Sequence, residues 1–540
     1  MERLTGIRAP RAEFARFRRR ADADASLLFH SRMLSTDDGA YNFVELLCDS
    51  TEREESLRAF WSPFTIHRAR TASYKLACSL SRANKHWHAA VRLYRSTLRT
   101  LAVNDLDDAG LALIAKDCQQ LRKFSFDCSL PPLGYDRRML SDAAVLAFFA
   151  ACPLLETVCL GECFGSMAAR TMLLLSRSVS HVSELDLSGC YVRNPVNPVQ
   201  CNPTSTSVSS FLTGCGQLSK LSLDGLPCIT DELVRCIEPL HPKLCVLHLC
   251  RVPISDACFN SYDWPRLKEL SLSSEPENLT MNCFTGAHFP SLVALDVEAE
   301  VERLLRLTPL VTACPSLLGL RIGGANKEAG SLSDLVLPQL EMLDLSETGS
   351  WAPQAYAGLT AVNVPCLASV SLAGGEYDPK VTSRTIQSIA LCCPQLTELD
   401  CDYLEQIDDE AVMAVAKHCV GLKYLGISFS SVTDAALLAC TGLSKLSYLN
   451  LSFVRDVTDA GLRTVAEACP LLWNLGHSVE EGLSEEDATE HYASTWDGYR
   501  AVCKDVLRRR ARGHAGDILT QHLVFRRDAA IGHRNHSFLW

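Results

Sequence analysis

The chain has 540 residues, of which 47% are hydrophobic and 21% charged, so it holds ample apolar material for a folded core. The net charge of −11 argues against nucleic-acid binding through the overall charge of the chain. No run of about 18 uninterrupted apolar residues occurs, so we expect no membrane partner. The 25 cysteines accompany no secretory signal, which favours a reducing compartment, the cytoplasm or the nucleus.

The N-terminal part of the chain divides into two predicted regions. Residues 1–40 are interpreted as a basic, flexible segment, because residues 1–20 contain seven arginines and only two glutamates. An Arg-rich start is also typical of a mitochondrial presequence, but Glu2 and Glu13 weigh against that interpretation. Residues 41–97 are predicted to be helical. Apolar side chains recur through the second half of this region, at Leu76, Leu80, Trp87, Val91 and Leu93.

Residues 98–478 contain a repeat. The pattern L-x-x-L-x-L recurs in steps of 23 to 36 residues, with Val, Ile or Phe as substitutes, and this period is typical of leucine-rich repeats with a few insertions. Each copy predicts one short strand of a solenoid. The anchor residues that open the copies are Leu98, Leu121, Leu155, Val182, Leu218, Leu244, Leu267, Leu292, Leu317, Leu340, Leu367, Leu396, Leu422, Leu446 and Leu472.

A helix is predicted in the second half of the repeats. Eight copies contain an apolar residue, then Ser, Thr or Asp, then Asp, as in Val432-Thr433-Asp434. The middle residue can accept a hydrogen bond from the free N–H groups of a helix start, and the Asp suits the helix dipole. Stretches such as EAVMAVAKHC follow with helical apolar spacing. The other seven motifs begin at Leu106, Leu140, Ile229, Ile254, Leu332, Ile407 and Val457.

Cysteine and proline mark the return from helix to strand. Nine copies place Pro two residues before the anchor, where it ends the helix. Seven place Cys three residues before it, as a small buried hydrophobe. We favour this framework role over a zinc site, because paired C-x-x-C spacing is absent. The polar segment 194–210 is predicted to project as a loop. The seven cysteines are Cys118, Cys152, Cys215, Cys314, Cys393, Cys419 and Cys469.

These motifs resemble those of a known family. C-P-x-L-x-x-L-x-L followed by I/V-T-D and a helix resembles the cysteine-containing leucine-rich repeats. The likeness implies an α/β fold: a curved leucine-rich-repeat solenoid of about 15 repeats, with parallel strands inside, helices outside and helical caps at both ends. Residues 76–103, LACSLSRANKHWHAAVRLYRSTLRTLAV, resemble the second half of an F-box. Together the two features resemble the F-box/leucine-rich-repeat family.

In that family the F-box binds the adaptor subunit of a cullin-type ubiquitin ligase, and the repeats hold the substrate. The resemblance therefore implies that the adaptor contacts Leu76, Leu80, Trp87, Val91 and Leu93. No clear Leu-Pro-x-Glu opening precedes this segment, so the F-box is degenerate. A plain helical cap over the first repeat stays an open alternative. Residues 479–540 are predicted to form a C-terminal cap helix and a basic tail, which is where we allow contact with nucleic acid.

The predicted working surface is the inner, strand face of the solenoid, where the x positions of L-x-x-L-x-L point away from the core. Acidic residues dominate these positions, so we expect a basic protein partner. No phosphate-binding loop or H-E-x-x-H motif occurs, and no catalytic residue, cofactor or metal is predicted. The first hypothesis is a substrate receptor of a ubiquitin ligase; the second is a scaffold subunit in a protein or ribonucleoprotein assembly. The partner-binding residues proposed are Glu398, Asp400, Asp402, Tyr424, Tyr448 and Asn450.

Overall fold

The structure is a computed structural model. The residues that it describes are 98–103, 107–126, 140–160, 169–188, 204–260, 262–274, 279–298, 307–323, 334–346, 363–373, 381–472 and 474–476, with Ser96, Leu332 and Leu359. The predicted N-terminal helices and C-terminal cap lie outside these residues, and the proposed domain boundaries remain predictions.

The strands form a single parallel sheet of 15 strands, and each strand pairs with the next one along the chain. A helix or an irregular segment returns the chain between neighbouring strands, which is the arrangement of a solenoid. The strands are β1 (Thr100–Val103), β2 (Lys123–Phe126), β3 (Thr157–Leu160), β4 (Glu184–Asp186), β5 (Lys220–Ser222), β6 (Val246–Val252), β7 (Glu269–Ser274), β8 (Ala294–Glu298), β9 (Gly319–Gly323), β10 (Met342–Asp344), β11 (Ser369–Ser371), β12 (Glu398–Asp400), β13 (Tyr424–Gly426), β14 (Tyr448–Asn450) and β15 (Asn474–Gly476).

The core lies between the sheet and the outer helices. All 15 predicted anchors, from Leu98 to Leu472, are buried in one continuous apolar cluster. The central apolar residue of each strand, most often Leu, is buried beside them, and it pairs with the central residue of the next strand, as Leu399 does with Leu425. The prediction of an α/β leucine-rich-repeat solenoid is confirmed.

Helices cover the outer side of this core in most described repeats. Six of the predicted capping residues precede a helix and accept a bond from its first turn: Asp107, Ser141, Thr230, Asp408, Thr433 and Thr458. The helices are α1 (Asp108–Asp117), α2 (Asp142–Ala151), α3 (Ala169–Leu175), α4 (Ser205–Gly214), α5 (Asp231–Leu240), α6 (Thr308–Ala313), α7 (Ser383–Cys392), α8 (Asp409–His418), α9 (Asp434–Cys440) and α10 (Asp459–Ala468), with a 3-10 turn at Met281–Phe284.

The predicted cysteines end the helices. Each of the seven is the residue that follows its helix, and each is buried where the chain turns into the next strand. Several thiols also donate to a backbone carbonyl at the helix end of the preceding repeat, as Cys419 Sγ does to the Cys393 carbonyl over 3.6 Å. The thiol therefore fills space and adds a weak bond between neighbouring repeats.

The Thr-Asp motif connects several neighbouring repeats. Asp409 Oδ1 accepts from the Thr433 amide over 2.8 Å, and its Oδ2 accepts from the Thr433 hydroxyl over 2.7 Å. That hydroxyl in turn accepts from the Ala435 amide of the next helix over 3.2 Å. Asp434 binds Thr458 in the same way. The aspartate thus orients the cap of the following helix, a role beyond the dipole effect predicted for it.

Two predictions of local structure are wrong. No helix follows Asp256 or Asp334, because only about ten and five residues, with Pro265 and Pro338 among them, separate these aspartates from the next anchors. The predicted loop 194–210 is helical from Ser205 onward. Residues 194–203 lie outside the described residues.

The helical start at Ser205 has a local cause. Thr204 and Ser207 form a reciprocal capping box, and Val208, Phe211 and Leu212 follow as buried residues at helical spacing. Capping and apolar spacing therefore outweigh the polar composition of this segment. Among the helices of the described residues, none combines the length and apolar character that are needed to cross a membrane.

Candidate protein-binding face

Two columns of side chains run across the strand face. Column A contains the residue before the central apolar residue of each strand, and column B contains the residue after it. The parallel register aligns Glu398, Tyr424 and Tyr448 in column A, and it aligns Asp400 with Gly426 and Asn450 in column B. The structure thus brings five of the six predicted partner-binding residues onto three adjacent strands. Asp402, the sixth, follows two residues after Asp400.

Several of these side chains are less exposed than predicted. Glu398, Asp400, Asp402 and Tyr424 are half-buried, but Tyr448 is only 6% exposed and Asn450 only 9%. Neighbouring strands lie about 4.8 Å apart, so each side chain in a column is covered on both sides by its neighbours. The expectation that these positions face open solvent is therefore wrong for Tyr448 and Asn450.

Two carboxylates converge over Gly426. A Cβ atom built on Gly426 would overlap Asp400 Oδ1 and would lie 2.9 Å from Asp402 Oδ1. Asp402 Oδ1 accepts from the Ser428 amide over 2.8 Å, and its Oδ2 accepts from Asn450 Nδ2 over 2.6 Å. Asp400 Oδ1 accepts from the Asp402 amide over 3.1 Å. Neutral donors therefore fix the direction of both carboxylates, and the glycine leaves them room.

Two aromatic stacks accompany the carboxylates. Tyr424 and Tyr448 stack in column A with ring centroids 4.9 Å apart. Past the strands, Phe429 stacks with Tyr403 at 4.8 Å and with Phe453 at 4.3 Å. Of these rings, only Tyr424 and Tyr448 are among the predicted partner-binding residues.

The second stack has an unusual backbone. Tyr403, Phe429 and Phe453 have φ angles of 64°, 57° and 61°, in the left-handed region that favours glycine. Gly225, at the same place in an earlier repeat, has a φ of 71°. The conformation directs the amide of this residue to the next repeat, as in the 2.9 Å bond from Phe429 to the Ser452 carbonyl. The late repeats thus hold aromatic rings where an earlier one has glycine, at a cost of about 1 kcal/mol each.

A third group in column B is internally paired. Arg321 lies between two aspartates, with Nη1 3.2 Å from Asp296 Oδ1 and Nε 3.4 Å from Asp344 Oδ2. Asp296 is only 3% exposed, and Asp344 is also buried, so the expected exposure of these two acids is wrong as well. Burial raises the pKa of Asp296 to about 6, although the Arg321 charge opposes this rise.

The buried cysteines, unlike the exposed Cys236 and Cys366, lie in a setting that disfavours the reactive thiolate. Burial raises the pKa of Cys215 and Cys440 to about 12 and that of Cys419 to about 11, so these thiols stay protonated at neutral pH. Within the described ranges, no three His, Cys, Asp or Glu side chains are grouped so that they could hold a metal ion. The residues predicted to bind an adaptor, Leu76, Leu80, Trp87, Val91 and Leu93, lie outside the described residues.

Comparisons with known proteins give partial matches. No protein-family model matches the chain. A protein named as putative RNA-binding protein EEED8.10 of Caenorhabditis elegans is 25% identical over 323 residues, which are 53% of this chain and 43% of that protein. The F-box protein MAX2 homolog B of Petunia hybrida is 28% identical over 218 residues, 35% of this chain and 29% of that protein. The chain thus spans less than half the length of these curated relatives.

Solved structures with similarity to the chain include an internalin and two protein complexes. An internalin of Listeria monocytogenes has a TM-score of 0.34 at 13% identity, covering 76% of this chain and 91% of its own. The structure of the Rad7 and Elc1 complex in yeast has a TM-score of 0.40 at 16% identity, and the match covers 82% of this chain and 98% of the matched chain. The mouse RP105/MD-1 complex has a TM-score of 0.42 at 13% identity, and the match covers 70% of this chain and 61% of the matched chain. By its own strand register and buried anchors, the chain is a leucine-rich-repeat solenoid similar in part of its sequence to an F-box protein.

Proposed function

We propose that the chain is a protein-interaction module that serves as the substrate-recognition subunit of a cullin-RING (SCF) ubiquitin ligase, in ubiquitin-dependent protein degradation. The observation that carries the interaction role is the continuous strand face over β12–β14, where acidic and aromatic side chains lie side by side. We assign substrate contact to Glu398, Asp400, Asp402, Tyr424, Tyr448 and Asn450.

The ligase part of the proposal has two supports. The F-box-like segment with Leu80 and Trp87 leads directly into the first repeat at Leu98. Part of the chain is also similar to a curated F-box protein. The degenerate first half of the F-box pattern makes adaptor binding the step to test first. Such a role places the protein in the cytoplasm or the nucleus and requires no catalytic residue or cofactor of its own.

Co-purification with the adaptor subunit tests this proposal. The full chain is expected to retain the adaptor, and Leu80→Ala combined with Trp87→Ala is expected to lose it, because these apolar side chains would form the contact. Val420→Ala, which alters an apolar side chain that is 61% exposed at the end of α8, serves as the control and should retain the adaptor. Absence of adaptor from the wild-type preparation would remove the ligase role.

The second candidate is a scaffold subunit of a protein or ribonucleoprotein assembly. It is favoured by the similarity of about half of the chain to a putative RNA-binding protein. The acidic strand face points to protein rather than RNA contact through the repeats, because phosphates would be repelled there. Purification from cells with and without ribonuclease separates the two: partners that leave after ribonuclease treatment, with no adaptor at any stage, would favour the scaffold.

A further inference from the structure

A histidine occupies column B near the middle of the sheet. The parallel register aligns Asp186, Ser222, His248 and Ser271 across β4, β5, β6 and β7. The imidazole is largely buried, since only 13% of the His248 side chain is exposed. Its neighbours in the column, Ser222 and Ser271, have small side chains, so acids from adjacent positions can approach the ring. A group that titrates near neutral pH therefore lies within the strand face.

Carboxylates from three neighbouring segments face this imidazole. Glu269, in column A of β7, places Oε1 3.1 Å from His248 Nε2, and its own side chain is 14% exposed. Asp224, two residues after β5, is oriented by the Cys250 amide, which donates to its Oδ1 over 2.7 Å. Asp186 faces the ring from β4. These four residues, His248, Glu269, Asp224 and Asp186, are called the histidine cluster.

The acids of the histidine cluster have no permanent cation beside them. Lys220, on β5, is directed to β4, where its Nζ lies 3.7 Å from Glu184 Oε1. Within the described repeats, no lysine or arginine forms an ion pair with Asp186, Asp224 or Glu269. The imidazole is the cation available to them in this part of the chain, and it is a cation only while it carries its second proton.

The surroundings of the ring favour this proton. Burial lowers the pKa of His248, but the bond to Glu269 and the charges of the three acids outweigh it, so the pKa lies above its ordinary value. Burial raises the pKa of Asp224, against the Cys250 amide and the His248 charge. Cys250, on the same strand, adds no charge, because burial holds the pKa of its thiol well above the usual range. Glu269, which is in direct contact with the ring, is therefore the main partner of the proton.

Three strands later, column B contains a cation of a different kind. Arg321, on β9, binds Asp296 and Asp344 on the two neighbouring strands. A guanidinium stays charged at any physiological pH, whereas an imidazole changes its charge near neutrality. The stabilisation of the sheet by Arg321 is therefore constant, and the stabilisation by His248 depends on the proton concentration.

We propose that the proton on His248 regulates the strand face over β4–β7: the protonated ring binds Glu269 and stabilises this part of the sheet, and loss of the proton loosens it. Because the folded chain holds the proton more tightly than the unfolded chain, the stabilisation is complete below about pH 6.5. It is lost as the pH rises through the higher pKa of the folded chain, and the same surface then carries one more negative charge. The inference is independent of the proposed ligase role.

Hydrogen–deuterium exchange of the full chain, followed by mass spectrometry at about pH 6 and about pH 8.5, tests the inference. Protection of the peptides that cover β5–β7 is divided by protection of those that cover β12–β14, which removes the pH dependence of the exchange chemistry. The wild-type ratio is expected to fall about fivefold between the two pH values, on the scale of one hydrogen bond between charged groups. His248→Gln should give the low ratio at both, because glutamine cannot take up the proton.

Two further variants separate the charge from the shape of the ring. His248→Arg supplies a permanent cation, as at Arg321, so its ratio should be high at both pH values. Glu269→Gln keeps the shape of the acceptor but removes its charge, and it should reduce the fall of the ratio even if arginine does not fit at position 248. His288→Gln is the matched control. His288 Nδ1 lies 3.7 Å from Asp263 Oδ1, but both side chains are exposed, so this variant should behave as the wild type does.

A wild-type ratio that stays constant with pH would overturn the inference, and so would a fall of the ratio that persists in His248→Gln. The exchange is measured on the chain without any partner. Failure of the adaptor to co-purify therefore leaves this inference intact, and a constant exchange ratio leaves the ligase proposal intact.

Discussion

The middle and the late repeats carry carboxylates in the same column of the same sheet, but the surroundings of these carboxylates differ. Between β8 and β10, Arg321 pairs with Asp296 and Asp344, and the acids are buried. Between β12 and β14, Asp400 and Asp402 converge over Gly426 and are half-buried. The first arrangement stabilises the sheet, and the second lies in the surface to which we assign contact with a partner. Three changes test whether stability and binding divide in this way.

The largest effect is expected from Arg321→Met. The change leaves the buried acids Asp296 and Asp344 without their cation, and breaking such a pair costs about 3 kcal/mol of unfolding free energy. Urea unfolding followed by far-UV circular dichroism measures this loss. Lys423→Met, which removes an exposed cation next to β13, is the control and should change stability by less than about 0.5 kcal/mol. Equal losses in the two variants would remove the distinction between the regions.

A smaller effect is expected from pH. Because the pKa of Asp296 is raised to about 6, the folded chain holds this proton more tightly than the unfolded chain does. Its contribution to stability is therefore complete below about pH 4 and is lost as the pH rises through about 6, and about 2 kcal/mol of this loss falls between pH 4 and pH 7. The measurement is the difference in unfolding free energy between wild type and Asp296→Asn from pH 4 to 7. A difference that does not change across this range would contradict the burial of the Asp296 charge.

The smallest effect is expected from Phe429→Gly. Glycine adopts the φ of 57° without strain, which offsets the loss of stacking, so the unfolding free energy should change by less than about 1 kcal/mol. Phe211→Gly, on the buried face of α4, should cost about 4 kcal/mol or more. Comparable losses at the two positions would show that the late aromatic rings serve stability rather than contact with a partner.

Sequence periodicity predicted the strands, anchors and helix caps of the repeats, because the same position has the same surroundings in successive repeats. Leu98, Leu472 and the anchors between them are buried, and the caps at Thr433 and Thr458 form at the predicted places, because both depend on residues a few positions apart. The exposure of the strand face was predicted poorly. Asp296 is shielded from solvent by Arg321, which lies on the next strand and 25 residues away in the sequence. The L-x-x-L-x-L pattern is also silent on backbone angles, so it gave no sign of the left-handed Tyr403.

The bonds from four aspartates to the Ser or Thr of the next repeat have a consequence for how the number of repeats can change in evolution. Asp231 with Ser255, Asp256 with Thr280, Asp409 with Thr433 and Asp434 with Thr458 are all 24 residues apart. Removal of 410–434 would place Asp409 in front of Ala435 and 24 residues before Thr458, so the same bond would form again. Recombination between the codons of equivalent residues can add or delete one whole repeat in a single event. The number of repeats can then change with the size of the molecule that the strand face contacts.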